Sequence, residues 1–233
     1  MLDEIHIALE QLADPERAAL LQRYFKTGPG EYGEGDRFHG IRVPEIRRLS
    51  RQYHGIAMAN VLQLLHSPMH EERLLALFIL VLKFNKGSAA EQEEIFGLYL
   101  ANTEYINNWD LIDSSAGHIV GAYLDGRDTA PLYRLARSDS LWERRIAIMA
   151  TSYFIGQDSF DGTLMIATML INDNHDLIHK AVGWMLREVG KRDCQAEEKF
   201  LREHYRHMPR TMLRYAIERF PEEKRRAYLS GSI

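Results

Sequence analysis

Trp109 and Asp113 lie four residues apart, a spacing that puts both on one face of a helix. Trp184 follows Lys180 by four residues and precedes Arg187 by three, so a second helix would carry two cations beside a tryptophan. These residue types do chemistry in combination. A carboxylate stabilises developing positive charge and orients a water for attack. Aromatic faces attract cations, and arginine or lysine holds phosphate. Each residue taken singly has an ordinary reading: a tryptophan in a helix is core, and an aspartate beside Ser114 is a solvated or capping group. The mixture resists that reading. A carboxylate one turn from a tryptophan is a poor core pair unless the face opens to a cleft.

The elements that must position these residues read as helices almost throughout. Leu2, Ile5, Leu9 and Leu12 form one apolar stripe, and Leu20, Leu21 and Tyr24 continue in the next segment. Asp14-Pro15-Glu16 has an N-cap, a proline at the first helical position and an acid in the first turn, and Val43-Pro44-Glu45 opens a helix similarly. Further apolar periodicity predicts helices over 70–85, 90–101, 109–124, 142–154, 162–171, 177–190, 196–205 and 211–219. Short polar breaks separate several of them, as at Gly126-Arg127-Asp128 and Asn172-Asp173-Asn174. No stretch alternates with period two for long enough to be a sheet strand. A weak internal repeat is present. Segments beginning at Ser67, Asp139 and Asn174 each open with a polar breaker, reach a basic residue (Arg73, Arg145, Lys180) and run into apolar sequence. The period is about 36 residues, which suits stacked helical pairs. The expected fold is an all-α, helical-repeat solenoid forming a single domain over residues 1–233. In such a solenoid Trp109, Arg145 and Lys180 would share the concave face.

Composition sets the frame. The 233 residues are 45% hydrophobic and 27% charged, ordinary for a globular protein, and no apolar run approaches the ~18 residues of a membrane helix. No membrane association is expected. The formal net charge is −4 and the isoelectric point about 6.2, against a value above about 9 for many simple DNA binders. Distribution matters more than the sum. Basic residues cluster at Arg42, Arg47, Arg48 and Arg51, at Arg144 and Arg145, and at Lys180, Arg187, Lys191 and Arg192. On charge alone the ordinary reading, solvated helix faces, is preferred. One cysteine, Cys194, leaves no internal disulfide framework and fits a reducing compartment. The acidic opening Met-Leu-Asp-Glu-Ile-His lacks a basic n-region, so a secretory signal is not expected and the cytoplasm is. His175 and His179 are spaced i, i+4, but Asp176 stands where a zinc-protease helix has glutamate, so no metal site is expected. The glycine-rich stretch 28–35 lacks the Gly-Lys-Ser/Thr ending of a phosphate loop, and its acids would repel phosphate. It reads as a tight loop leading into the next helix.

Four stretches in order carry a family resemblance: FKTGPGEYGEGD at 25–36 leading into FHGIRVP at 38–44, NWDLID at 108–113, SDSLWERRIA at 138–147, and KAVGWMLRE at 180–188. Together they resemble the AlkD-like DNA alkylation repair proteins, HEAT-like repeat DNA glycosylases, and the similarity runs from about Tyr24 to Arg226. The resemblance implies a concave, basic DNA-binding groove. It implies that Asp113 is the catalytic carboxylate, that Trp109 and Trp184 flank the deoxyribose of the lesion, and that Arg145 contacts a phosphate. Tyr24, Arg42, Arg47, Lys180 and Arg187 are the further DNA-binding candidates. The implied reaction is monofunctional hydrolysis of the N-glycosidic bond of N3- or N7-alkylated purines in duplex DNA, worked from the sugar side with the base left stacked. No cofactor is implied, no lysine nucleophile maps onto the site, and a monomer acting on the nucleoid is expected. The chain departs from better-studied members at Arg42, where they carry glutamine, and at Asp176 and Leu177, where some carry aromatics. The alternative is a non-catalytic HEAT-like scaffold that binds DNA structures or a protein partner. A scaffold has no need of a carboxylate among tryptophans.

Overall fold

A computed structural model describes residues 2–233. Helices make up the fold, and among the described residues the one β-type contact is an isolated parallel bridge between Arg37 and Met69. No helix among the described residues is long and apolar enough to cross a membrane. The chain divides after Ser115 into two compact units.

The first unit contains α1 (Leu2–Leu12), α2 (Pro15–Tyr24), α3 (Val43–Gln52), α4 (Met58–Leu65), α5 (His70–Lys86), α6 (Ala89–Ala101) and α7 (Trp109–Asp113). Its centre is α5, buried without interruption from His70 to Leu80, with α3, α4 and α6 packed on it. Local chemistry sets the helix starts. Asp14 caps α2 by accepting from the Arg17 amide at 3.0 Å, and Ser88 and Glu91 form a reciprocal capping box at α6. The segment 25–42 between α2 and α3 has no helix of its own and is fixed from beneath. The buried Glu71 carboxylate accepts the backbone amides of His39, Gly40 and Ile41 at 2.9, 2.8 and 3.1 Å. Gly40 has φ +85°, and a Cβ there would run into the Asp14 carbonyl. Within the glycine-rich loop the acids serve the backbone: Glu31 accepts from Gly28 N and Glu34 from Gly30 N.

The second unit begins with a π turn (Gly117–Gly121) running into α8 (Ala122–Leu124). It continues with α9 (Ala130–Ala136), α10 (Leu141–Ala150), α11 (Ser152–Gly156), α12 (Asp161–Met169), α13 (Asp176–Arg192), α14 (Cys194–His204), α15 (Arg210–Ala216) and α16 (Glu222–Ser230). Here α13 is central and meets α10, α14 and α15. Gly183 lets α15 approach closely, since a Cβ would collide with the Met212 carbonyl.

Three predicted helices are interrupted. The expected helix over 109–124 stops at Asp113. Ser114 and Ser115 turn their hydroxyls back onto the carbonyls of Asp110 and Leu111 at 2.7 and 2.6 Å, competing with the helix ladder. The chain resumes as a π turn whose Gly117 and Gly121 leave no room for a Cβ against Ser152 and Ala150. The helix over 142–154 breaks at buried Thr151, whose hydroxyl donates to the Ile148 carbonyl at 2.7 Å. The helix over 211–219 tightens to a 3₁₀ turn after Ala216.

The internal repeat holds between its first two segments, and its register there is one residue from the expected one. Ser67 Oγ accepts from the amide two residues on (3.0 Å), and so does Ser138 Oγ (3.1 Å). Arg73 donates to the Ser67 carbonyl six residues back at 3.0 Å, and Arg144 does the same to Ser138 at 3.0 Å. Each arginine also pairs with an aspartate: Arg73 with Asp36, and Arg144 with Asp173 at 2.6 Å. Arg73 therefore corresponds to Arg144 rather than Arg145, and SPMHEER aligns with SDSLWER.

Candidate active site

The face of α7 in the first unit combines an aromatic cluster with a buried charged network. Trp109 opens the helix, its amide donating to the side chain of Asn108 at 2.9 Å, and Asp113 closes it; both are half-buried. The Trp109 ring stacks on Phe25 at 5.2 Å and 18°, and meets the ring of Tyr24 edge-on at 6.1 Å. Tyr24 is 64% exposed, which makes it the open rim of the cluster. Phe25 in turn stacks on Phe38 at 5.1 Å. Asp113 lies near enough to the buried Tyr99 that its charge adds to burial in raising the phenol, against the opposing hydrogen bond with Ser115.

Beneath the rings lies His70, 2% exposed, with Phe25 and Phe38 against it at 4.9 and 4.7 Å. Its Nδ1 faces Asp36 Oδ2 at 3.0 Å, and its Nε2 faces Asp110 Oδ2 at 2.8 Å. Asp36 is also paired with Arg73 and accepts from Asn108 Nδ2 at 3.1 Å. Burial opposes charge on His70, but Asp110 and Asp36 outweigh it by charge and hydrogen bonding and raise the imidazole to about 9. Burial would likewise raise Asp36, yet His70 and Arg73 hold it below the usual carboxylate range. His70 and Asp36 are thus both charged at neutral pH, and the network supports α7 at its first turn.

The other sequence candidates are placed as follows. Arg42 is exposed at the start of α3, where its side chain makes no capping bond. Arg47, one turn further on, lays its guanidinium over the Phe78 ring at 4.1 Å. In the second unit, Arg145 is only 4% exposed and donates to the Leu177 carbonyl at 2.6 Å, tying α10 to the start of α13. Lys180 pairs with Asp176 at 2.6 Å. Trp184 is half-buried and donates Nε1–H to Glu188 at 2.9 Å. Arg187 is paired with Glu218, so a DNA contact by it would compete with that partner. His175 caps α13 by accepting from the Leu177 amide at 3.1 Å. Among the described residues no group of three or more His, Cys, Asp or Glu side chains is placed to hold a metal ion.

Sequence reasoning missed His70, Asp36, Asp110 and Phe25 as parts of this site. The available signal was partial: Phe25, Asp36 and Asp110 all lie in the stretches that carry the family resemblance, and Arg73 was already marked by the repeat.

Fold and site together define an all-α helical-repeat protein with a carboxylate and a tryptophan at the two ends of one short helix. The sequence profile of the DNA alkylation repair enzyme family matches residues 5–220, and the chain belongs to that family. Among solved structures it is similar to a predicted DNA alkylation repair enzyme from Enterococcus faecalis, with a TM-score of 0.68 at 18% identity, over 90% of this chain and 97% of that one. It is also similar to AlkD2 from Streptococcus mutans, with a TM-score of 0.57 at 14% identity, over 89% of this chain and 98% of that one. The similarity to smu.31 from Streptococcus mutans UA159 has a TM-score of 0.56 at 14% identity, again over 89% and 98%. These similarities are of fold. No curated protein matches the chain.

Proposed function

We propose that the protein is a monofunctional DNA glycosylase that hydrolyses the N-glycosidic bond of N3- and N7-alkylated purines in duplex DNA. The observation that carries this reading is the pairing of half-buried Trp109 and Asp113 at the ends of α7, beside the exposed ring of Tyr24. Alkylation at a purine ring nitrogen gives the base a positive charge, so it departs with the bond's electron pair and without strong acid assistance. The cation that remains is the sugar. The Asp113 carboxylate stabilises it and orients the water whose oxygen bonds to the anomeric carbon, accepting the water's proton as that bond forms. The face of Trp109 adds attraction worth ~0.5–2 kcal/mol by analogy with cation–π contacts. The products are the free base and an abasic site.

In this reading Trp184, Lys180 and Arg187 of the second unit contribute DNA contacts, as do Tyr24, Arg42 and Arg47 of the first, whereas Arg145, 4% exposed, reaches a phosphate only by leaving the Leu177 carbonyl. The protein acts as a monomer in the cytoplasm. The test is base release from a duplex containing N7-methylguanine. The Asp113→Asn variant should release base about 10²–10⁴-fold more slowly, with DNA affinity nearly unchanged. Equal rates would remove Asp113 from the mechanism. Salt-sensitive DNA binding with no release by the wild type would replace the enzyme with a DNA-binding scaffold.

A further inference from the structure

We infer that His70 is a positioning residue for α7: as an imidazolium it ties Asp110, in the first turn of that helix, to Asp36 of the segment 25–42, and so sets where Trp109 and Asp113 stand. Its catalytic half rests on the glycosylase reading; the clamp itself does not.

Both nitrogens of His70 face carboxylate oxygens, at 3.0 and 2.8 Å. A neutral imidazole has one N–H, so one lone pair would point at a carboxylate; only the cation donates to both. The charged groups around it are Asp36, Asp110 and, through Asp36, Arg73. The second oxygen of Asp110 is buried without a hydrogen-bond partner, which leaves His70 as the group that holds this side chain. Asp110 adjoins Trp109 in sequence and lies three residues from Asp113. The helix is five residues long, so moving Asp110 moves both. A second route runs through Phe25, which touches both His70 and Trp109.

The repeat shows that the turn does not need a histidine. Ser138–Arg144 reproduces the serine turn, the arginine–carbonyl bond and the arginine–aspartate pair of Ser67–Arg73, with Leu141 in the place of His70. His70 is therefore an addition to a structural clamp, and what it adds is a charged link to α7.

The experiment is ¹⁹F NMR of the full chain labelled with 5-fluorotryptophan. The three tryptophan resonances are separated by assigning Trp109 with Trp109→Phe, and a Tyr24→Phe background removes the neighbouring phenol from the titration. The Trp109 signal should move with pH with a midpoint well above the ordinary 6.5 of histidine. That movement should vanish in Asp110→Asn, whose amide can donate to Nε2 of a neutral ring that still donates Nδ1–H to Asp36. A Trp109 signal indifferent to pH between 6 and 10, or an unchanged midpoint in Asp110→Asn, overturns the inference. If His70→Gln folds, its base release from the N7-methylguanine duplex should fall by up to about 10²-fold in kcat with KM little changed. A loss of melting temperature with kcat intact would reduce His70 to a structural role. Absence of base release from the wild type would sink the glycosylase reading, while the NMR result would still decide the clamp.

Discussion

The segments Ser67–Arg73 and Ser138–Arg144 are two copies of one device, used in two ways. Both turn on a serine hydroxyl, send an arginine six residues back to the serine carbonyl and pair that arginine with an aspartate. In the first copy the pair is almost fully buried, with 4% and 5% of the two side chains exposed, whereas in the second the arginine is 20% exposed. The first copy also carries His70, which extends the pair into a buried chain of charges reaching α7; the second carries Leu141. The first copy thus serves packing and the candidate site, and in the second the matching position is apolar. Duplicated architecture supplies the anchor, and a single side-chain difference directs it.

The largest expected effect tests the burial difference. Arg73→Met removes one partner of a buried pair and leaves Asp36 without its arginine, and should cost about 3–5 kcal/mol in urea unfolding. Arg144→Met, at the more open copy, should cost about 1–3 kcal/mol. Equal losses would show that the two clamps bear the same weight.

A smaller effect contrasts how the two units treat buried ionisable groups. His70 has an acceptor at each nitrogen. Glu197 of the second unit is 2% exposed, and its Oε1 has no hydrogen-bond partner. Burial pushes its carboxyl up to about 8, with Lys224 and Arg187 offsetting this only in part. Both folded-state values are raised above their unfolded ones, so both groups contribute stability at low pH that is lost as pH rises. For Glu197 the loss spans about 4.5 to 8; for His70 it spans about 6.5 to 9. Glu197→Gln should flatten the first window alone. It should raise Tm at pH 9 by about 2–4 °C for each kcal/mol recovered, with no gain at pH 4. A pH profile of Tm unchanged by Glu197→Gln would mean that this carboxylate is solvated in the folded protein.

Much of the local design was legible in the sequence. Asp14-Pro15 marks the start of α2 because a cap is satisfied within three residues. Trp109 and Asp113 were legible as one face because four residues make about one helical turn. The family stretches pointed to the right segments. The helix breaks after Asp113 and at Thr151 were not legible, because a serine or threonine that bonds back to its own turn looks the same in sequence as one that does not. The repeat was visible, but its register became clear only when Arg73 and Arg144 could be matched by their bonds.

By itself the sequence determined the all-helical class, the shared face of Trp109 and Asp113, and the cap that starts α2. These depend on periodicity and on contacts a turn or less apart. The tertiary structure alone decided that His70 is charged, that Arg145 lies inside with a carbonyl as partner, and that Arg187 is paired with Glu218. The physical reason is that protonation and burial are set by neighbours. Those of His70 come from 34 and 40 residues away along the chain, a distance over which no periodicity reports.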